Sequence, residues 1–431
     1  MPEPKENKQE PSRTRSLLRA LRSRNYRLFV AGQGISLIGT WMQQVAMSWL
    51  VYRMTGSAML LGIVGFASQI PSFLLAPVAG VLADRWEKRR LLFATQTLSL
   101  IQAALLAIIV LTGIVQIWQI VLLSLFLGII NAFDIPVRQS FVVQMVDSRA
   151  DLSNAIALNS SMVNGARLIG PTIAGLLVAS VGEGVCFAIN SASYLAVIAA
   201  LAAMRVAAQP PRLQHHDVLH ELYEGVRYAF DFKPILSILL LLALVSLMGM
   251  PYSVLMPVFA REVLHGSSHT YGFLMTASGS GALAGAFYLA SRRSVIGLGM
   301  VIVRAAILFG IGISVFAISN IFALSMVSLV VAGFGAMTLV ASCNTIIQTI
   351  VDEDKRGRVM SFFTMAFIGM TPFGSLIAGT LAGSIGAKET VLIGGMCCLA
   401  GGIIFFRQLP LLRDKVRPIY IDRGIIKGKE V

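Results

Sequence analysis

The feature that most constrains the fold is a series of twelve apolar stretches, each long enough to cross a membrane as a helix. A helix needs about 20 residues to span the hydrocarbon core of a bilayer. The connections between stretches are short, as at residues 53–56 and 112–116. Hydrophobic residues make up 56% of the chain and charged residues only 13%, so lipid surrounds most of it. We therefore predict an all-α integral membrane protein with twelve transmembrane helices.

The predicted spans form two pseudo-symmetric halves of six helices. An internal repeat supports this division, because Ile173-Ala174-Gly175 in the fifth span recurs as Ile377-Ala378-Gly379 in the eleventh. The connection between the halves has one apolar and one acidic face, which predicts a helix on the membrane surface. We predict five segments: a cytoplasmic tail at 1–26, an N-terminal half at 27–205, a linker at 206–234, a C-terminal half at 235–408 and a cytoplasmic tail at 409–431.

The distribution of basic residues predicts the orientation of the chain. The net charge is +14, and nearly all Lys and Arg residues lie in the tails and in the connections on the side of the termini. Basic residues collect on the cytoplasmic side of membrane proteins. We therefore expect a multi-pass protein of the bacterial cytoplasmic (inner) membrane with both termini cytoplasmic. The basic residues then face lipid headgroups, which makes the bilayer the expected partner and argues against nucleic acid.

The connection between the second and third spans carries a recognisable motif. Residues 80–90 read Gly-Val-Leu-Ala-Asp-Arg-Trp-Glu-Lys-Arg-Arg. This stretch resembles the Gly-x-x-x-Asp-Arg loop signature of the major facilitator superfamily, although a basic connection alone also follows from the orientation rule. The resemblance implies a major facilitator fold in which Asp84 reaches the start of the eleventh helix and closes the cytoplasmic side. The predicted gating residues are Gly80, Asp84, Arg85, Arg89, Asp134 and Arg138.

Asp134 is the only acidic residue well inside a predicted span. Arg138 lies four residues later, on the same helical face, so the two side chains can neutralise each other. Three interpretations stay open: a structural ion pair, a part of the cytoplasmic gate, or a proton carrier. Proton-coupled transporters need a buried carboxylate, which makes Asp134 the candidate for proton coupling.

The fifth span contains Ala166-Arg167-Leu168-Ile169-Gly170-Pro171-Thr172-Ile173-Ala174-Gly175. It resembles the motif of superfamily antiporters, which assigns the antiporter-like positions to Gly170, Pro171 and Gly175 and favours export over import. Close helix packing alone also explains small residues here. Arg167 stands near the middle of the membrane, where a charge needs water, a counter-ion or a substrate. The predicted substrate cavity comprises Gln43, Gln44, Arg167, Tyr252, Asn344 and Gln348.

Taken together, these motifs look most like the subgroup of the superfamily that contains enterobactin exporters and transmembrane secretion effectors. The resemblance implies a monomeric secondary transporter that exports a small molecule by alternating access and proton antiport. It also implies a siderophore-like substrate that is anionic and aromatic. A broad-specificity multidrug exporter is the alternative, and a non-transporting receptor or assembly factor a further one. We expect no enzyme, cofactor or metal site, because the spans hold no Ser/His/Asp or His/Cys cluster.

Overall fold

The structure is a computed structural model that describes residues 19–205, 232–292, 294–353 and 355–426. Side chains are not described at positions 76–78, 80–85 and 149. The predicted surface helix of the linker lies outside the described residues. The described residues form helices and their connections, without a strand.

Twelve long helices make up the described part of the chain, which confirms the predicted all-α membrane fold. Eleven of these are long and apolar enough to cross a membrane. The remaining one, α1, has 32 residues and carries buried polar side chains such as Gln33 and Gln43. The first six helices are α1 (Arg24–Thr55), α2 (Ala58–Arg85), α3 (Lys88–Leu111), α4 (Ile117–Met145), α5 (Leu152–Val181) and α6 (Glu183–Ala203).

The second six helices include two that are locally widened. Both α7 and α11 contain π-helical turns, at Val245–Gly249 and Phe259–Val263 in α7 and at Met365–Gly369 in α11. Prolines lie within three residues of each turn. A proline lacks an amide hydrogen and crowds the preceding turn, and a widened turn relieves that clash. The six helices are α7 (Lys233–Val263), α8 (Ser268–Ser291), α9 (Leu298–Ile318), α10 (Phe322–Ile350), α11 (Arg356–Ile385) and α12 (Ala387–Asp422).

Two helices run well beyond their predicted spans. The apolar pattern predicts a fourth span over residues 117–138, but α4 continues to Met145. The pattern predicts a twelfth span over residues 388–407, but α12 continues to Asp422, so much of the predicted tail is helical. In both cases charged residues suggested the end. Charge marks where a helix leaves the hydrocarbon, and the backbone hydrogen bonds of a helix do not have to stop there.

Both described ends of the chain lie on one side of the bundle, because the number of long helices is even. We call this the terminal side and the opposite one the far side. The N-terminal end is fixed to its own half, since Arg19 pairs with Asp151 and the Ala20 amide donates to Asn154 Oδ1 at 2.9 Å. The C-terminal end is fixed to its own half as well. Arg423 donates to the carbonyls of Thr349 at 2.6 Å and Val351 at 2.8 Å, at the end of α10.

Helices α1–α6 form the N-terminal half and α7–α12 the C-terminal half. The halves meet mainly along two helix pairs, α2 with α11 and α5 with α8. The two pairs correspond to each other, because α5 and α11 carry the repeated Ile-Ala-Gly sequence. The interface between the halves therefore has the same approximate two-fold symmetry as the sequence.

Candidate functional site

A cavity of about 250 Å³ lies between the two halves, from the middle of the bundle towards its far side. Helices α1, α2 and α4 line it from the N-terminal half, and α7 and α8 from the C-terminal half. None of its lining residues is charged. The polar ones are Thr40, Gln43, Gln44, Ser48, Ser68, Gln69, Ser124, Asn131, Ser253 and Tyr271. We call this space the central cavity.

Two larger hollows, of about 530 and 520 Å³, are lined by helices of the C-terminal half alone. Neither touches the N-terminal half. Transporters built from two repeated halves place their substrate between the halves, near the membrane midplane. The central cavity is therefore the candidate site, although it is the smaller space.

Aromatic and charged side chains close the central cavity on the far side. The rings of Trp49 on α1 and Tyr271 on α8 stack at a centroid distance of 6.3 Å. Beyond them, the Tyr52 hydroxyl donates to Glu262 of α7, and the Arg261 guanidinium lies 6.0 Å from the centre of the Tyr52 ring. These contacts join the halves, so they must break before the cavity can open to the far side.

Two crossings of glycine on glycine bring the halves together in the far half of the bundle. At the first, a Cβ added to Gly379 of α11 would lie 2.7 Å from the Cα of Gly62 on α2. At the second, a Cβ added to Gly175 of α5 would lie 3.1 Å from the Cα of Gly272 on α8. Gly175 and Gly379 end the repeated sequence Ile-Ala-Gly. The repeat thus provides backbone contact at equivalent points of both helix pairs.

Among the described residues, the hydrogen bonds that join the two halves all lie in the far half. Besides the Tyr52–Glu262 bond, Thr172 and Thr276 share a hydrogen bond of 2.6 Å, and Ser268 Oγ donates to the Gly175 carbonyl at 3.2 Å. The described hydrogen bonds therefore hold the halves together on the far side. In a two-half transporter, contacts of this kind close one side of the substrate site.

The model of the transmembrane secretion effector family matches residues 15–417. The chain belongs to this family, within the major facilitator superfamily of transporters. It is 26% identical over 382 residues to the staphyloferrin A transporter of Staphylococcus aureus, covering 88% of this chain and 94% of the relative. It is also 26% identical over 394 residues to the multidrug efflux pump Tap of Mycolicibacterium fortuitum, covering 89% and 93%.

A solved structure shows the same fold as this secretion effector. It is a bacterial homologue of the human lysosomal transporter Spinster in an inward-facing, unoccupied conformation, with a TM-score of 0.65. The alignment covers 98% of this chain and 100% of the other, at 14% identity. The secretion effector is thus a multi-pass membrane transporter and not an enzyme, as the sequence predicts.

Two of the six predicted substrate residues line the central cavity of the secretion effector. Gln43 is buried, and both polar atoms of its carboxamide form hydrogen bonds within the N-terminal half. Its Nε2 donates to Gln102 Oε1 at 3.0 Å, and its Oε1 accepts from Asn190 Nδ2 at 2.7 Å. Gln44 is exposed to the cavity. Gln43 therefore joins α1, α3 and α6, whereas Gln44 is available to a ligand.

The other four predicted substrate residues are not among those that line the cavity. Tyr252 is buried within the C-terminal half, where its hydroxyl shares a 2.7 Å hydrogen bond with Ser278 and its ring packs on Phe309. Asn344 and Gln348 bond to each other at 3.0 Å on the terminal part of α10. The structure thus separates these three side chains from Gln43 and Gln44.

Arg167 meets an aromatic ring instead of a carboxylate. Its guanidinium carbon lies 5.6 Å from the centre of the Trp41 ring on α1. Among the described residues, the ion pairs do not include Arg167, and Asp134 is paired elsewhere. Trp41 follows Thr40 of the cavity lining, so Arg167 borders the cavity without lining it.

Asp134 is buried, with 4% of its surface exposed, and three donors hold its carboxylate. Thr95 and Gln96 of α3 each donate to Oδ1 at 2.8 Å, and Arg138 Nε lies 3.4 Å from Oδ2. All of these contacts lie within the N-terminal half. The pair that the four-residue spacing predicts is thus formed, with two further donors from α3.

The predicted gating loop is described only in part. The side chains of Gly80, Asp84 and Arg85 lie outside the described residues, so their predicted role is not tested. Arg89 donates to the carbonyls of Leu201 at 2.9 Å and Ala202 at 3.0 Å, at the C-terminal end of α6. There it satisfies backbone acceptors that the helix leaves free.

The antiporter-like positions lie where α5 contacts its neighbours. A Cβ added to Gly170 would lie 2.5 Å from Trp41 Cβ on α1. Pro171 lies inside α5, and its carbonyl would be 2.6 Å from a Cβ on Gly272 of α8. Together with Gly175, these residues let α5 touch a helix of each half at backbone distance.

Sequence reasoning did not identify the far-side contacts of Tyr52 and Glu262, nor Ser124 and Asn131 of the cavity. A signal for the first pair exists in the sequence. Arg53 and Arg261 are two of the few basic residues predicted on the outer side, and each adjoins one member of the pair. Ser124 and Asn131 are two turns apart on one face of α4, where they interrupt the apolar run of residues 120–133.

Proposed function

We propose that this transporter exports small molecules across the bacterial cytoplasmic membrane by alternating access, in exchange for protons. The observation that carries the proposal is the one-sided closure of the central cavity. The described hydrogen bonds across the halves lie on the far side, and equivalent glycine crossings occur there on both helix pairs. Rocking one half against the other would separate these crossings, open the far side and close the terminal side.

The direction of transport follows from the predicted orientation. Basic residues on the terminal side make that side cytoplasmic by the positive-inside rule. The conformation described here then loads its substrate from the cytoplasm. Two observations favour export. The relative Tap is named a multidrug efflux pump, and the Gly170-Pro171 stretch of this chain resembles the antiporter motif.

Asp134 is the proposed proton carrier. Its carboxylate is fixed by Thr95, Gln96 and Arg138, so a proton that binds it removes a charge and releases the guanidinium of Arg138. Arg138 is half-buried near the terminal end of α4 and could then contact the other half. The gate predicted from Gly80, Asp84 and Arg85 would hold the terminal side closed in the outward-facing state. We propose that the transporter works as a monomer and without a cofactor.

The test distinguishes proton coupling from the movement of substrate through the transporter. In inside-out vesicles, ethidium and iron-free staphyloferrin A serve as probes of the multidrug and siderophore alternatives. Asp134→Asn should abolish uptake driven by a proton gradient while leaving exchange of labelled probe across a de-energised membrane intact. Asp414→Asn, on the exposed part of α12, is the matched control and should keep both activities.

Three outcomes would contradict the proposal. Uptake that persists after a protonophore, or that needs sodium or ATP, rules out proton coupling. Loss of exchange together with uptake would mean that Asp134 is needed for folding or substrate movement. Movement of both probes into right-side-out vesicles alone would reverse the proposed direction.

A further inference from the structure

We propose that the central cavity selects uncharged substrates rich in hydroxyl or amide groups and rejects their charged analogues. This inference rests on the proposed function, and it departs from the anionic substrate that the sequence suggests. It is drawn from the cavity lining: four side-chain amides, five aliphatic hydroxyls and one phenol, with no charged group.

Two charged groups near the lining, Asp134 and Arg167, are engaged elsewhere. Asp134 is one turn from Asn131 on α4, but its carboxylate is held by donors from α3 and by Arg138. Arg167 is held over the ring of Trp41. A cationic group in the cavity would meet no free carboxylate among the described lining residues, and an anionic group would have to draw Arg167 away from the Trp41 ring. Either charge would lose its water at a cost in a low-dielectric interior.

Three lining groups are free to bind a ligand. Ser124 is 1% exposed, and its Oγ has no hydrogen-bond partner within the described residues. Gln44 and Asn131, as far as the described part of the chain shows, make no side-chain hydrogen bond. A buried polar atom without a partner destabilises a protein, so native structures rarely retain one unless a ligand or water completes it.

Three of the other lining hydroxyls are available mainly as acceptors. Thr40, Ser68 and Ser253 each donate to a backbone carbonyl of their own helix, which leaves oxygen lone pairs available. Gln44 and Asn131 offer amide donors as well as acceptors. The cavity thus matches a solute that both donates and accepts hydrogen bonds, as a sugar or a lactam does.

Apolar side chains complete the cavity and suit an amphipathic substrate. Leu61 and Val64 contribute from α2 and Met275 from α8, and Tyr271 presents its ring beneath Trp49. A site of paired amides and hydroxyls discriminates strongly against analogues that leave its groups unpaired. We therefore expect a glycoside on a flat aromatic aglycone to fit better than either part alone.

The test uses a matched set of probes that differ only in charge. Purified protein in nanodiscs is titrated by calorimetry with 4-methylumbelliferyl β-glucoside, the corresponding glucuronide and the 2-amino-2-deoxyglucoside. The neutral glucoside should bind at least about tenfold more tightly than either charged analogue. Tighter binding of the glucuronide, or no binding of the glucoside, overturns the proposal.

Variants of the lining residues test whether these side chains bind the uncharged glucoside. Gln44→Met, Asn131→Leu and Ser124→Ala should each weaken glucoside binding by about fivefold to fiftyfold, the loss of one hydrogen bond. Gln408→Met on the exposed surface of α12 is the matched control and should bind as the parent does. Ser124→Ala should also raise the melting temperature of the ligand-free protein, because it removes an unpaired buried hydroxyl. Unchanged affinity in all three variants would place the ligand elsewhere.

The outcomes also distinguish this inference from the proposed function. A protein that exports the glucuronide in preference to the glucoside would remain an exporter with the opposite charge preference. A protein that binds the glucoside through Gln44 and Asn131 but exports nothing would uphold the site and contradict the export function.

Discussion

The guanidinium of Arg167 lies over an aromatic ring in a region where most charges would be paired with a carboxylate. Burying an arginine near the membrane midplane is costly, and the face of an indole offsets part of that cost. Because no carboxylate in the described part of the chain pairs with Arg167, removing the charge leaves no unpaired acid behind there. This contact is neither of the two partners that the sequence leaves open, since Asp134 is held by Arg138, and binding of a substrate group by Arg167 stays a prediction.

A double-mutant cycle measures the contact between Arg167 and Trp41. We expect Arg167→Gln and Trp41→Leu to be non-additive, with a coupling of about 0.5–2 kcal/mol in the free energy of unfolding. Thermal unfolding of both single variants and the double variant in the same detergent gives the value. Membrane abundance of Arg167→Gln should stay close to that of the parent. Strict additivity, or loss of the protein from the membrane, would contradict the assignment.

At the residue scale, the sequence predicts contacts within one helix better than contacts between helices. The Asp134–Arg138 pair follows from its spacing of four and is formed. Tyr252 was expected in the cavity but is buried against Ser278 and Phe309. Its direction depends on the rotation of α7, which the π-helical turns shift by part of a turn. Such rotations are set by packing and cannot be read from a hydrophobic pattern.

At the element scale, the glycine crossings set how closely the helix pairs can approach. Gly379→Ala should prevent the contact of α11 with α2, because the added methyl group would overlap Gly62 Cα. We expect this variant to shift the population towards the outward-facing state, so that a cysteine in place of Ser253 reacts faster with an impermeant maleimide from the far side. Gly383→Ala, one turn further along α11, meets only Met59 at 3.9 Å and is the matched control. Equal reaction rates in both variants would show that the crossing does not limit closure.

Helix identity was predictable because twenty-residue apolar stretches have few alternatives in a membrane. The ends of the helices were harder to predict, as the extensions of α4 and α12 show. Those extensions depend on contacts that lie far apart in the sequence, such as the anchor of Arg423 on α10.

At the scale of the whole molecule, the sequence repeat predicts two similar halves but cannot say which side of the interface is closed. Both conformations of such a transporter use the same helices and differ in free energy by only a few kcal/mol. The closed side is decided by cross-half contacts, and the Tyr52–Glu262 bond and the Trp49–Tyr271 stack place it at the far side. Their residues come from helices that are distant in the chain, so no local pattern predicts them.

The anchoring of each chain end to its own half makes the conformational cycle measurable as a single length. Fluorophores on Arg22→Cys and Asp422→Cys, both exposed positions, would move with α1–α6 and α7–α12 respectively. Cys397, the least buried native cysteine, is replaced by alanine in this background. Energy transfer should increase when the terminal side closes, and Gly379→Ala should increase it without any ligand. A pair at Arg22→Cys and Arg90→Cys, both in the N-terminal half, should stay constant. The distance between the two labelled ends would then show which conformation the transporter occupies.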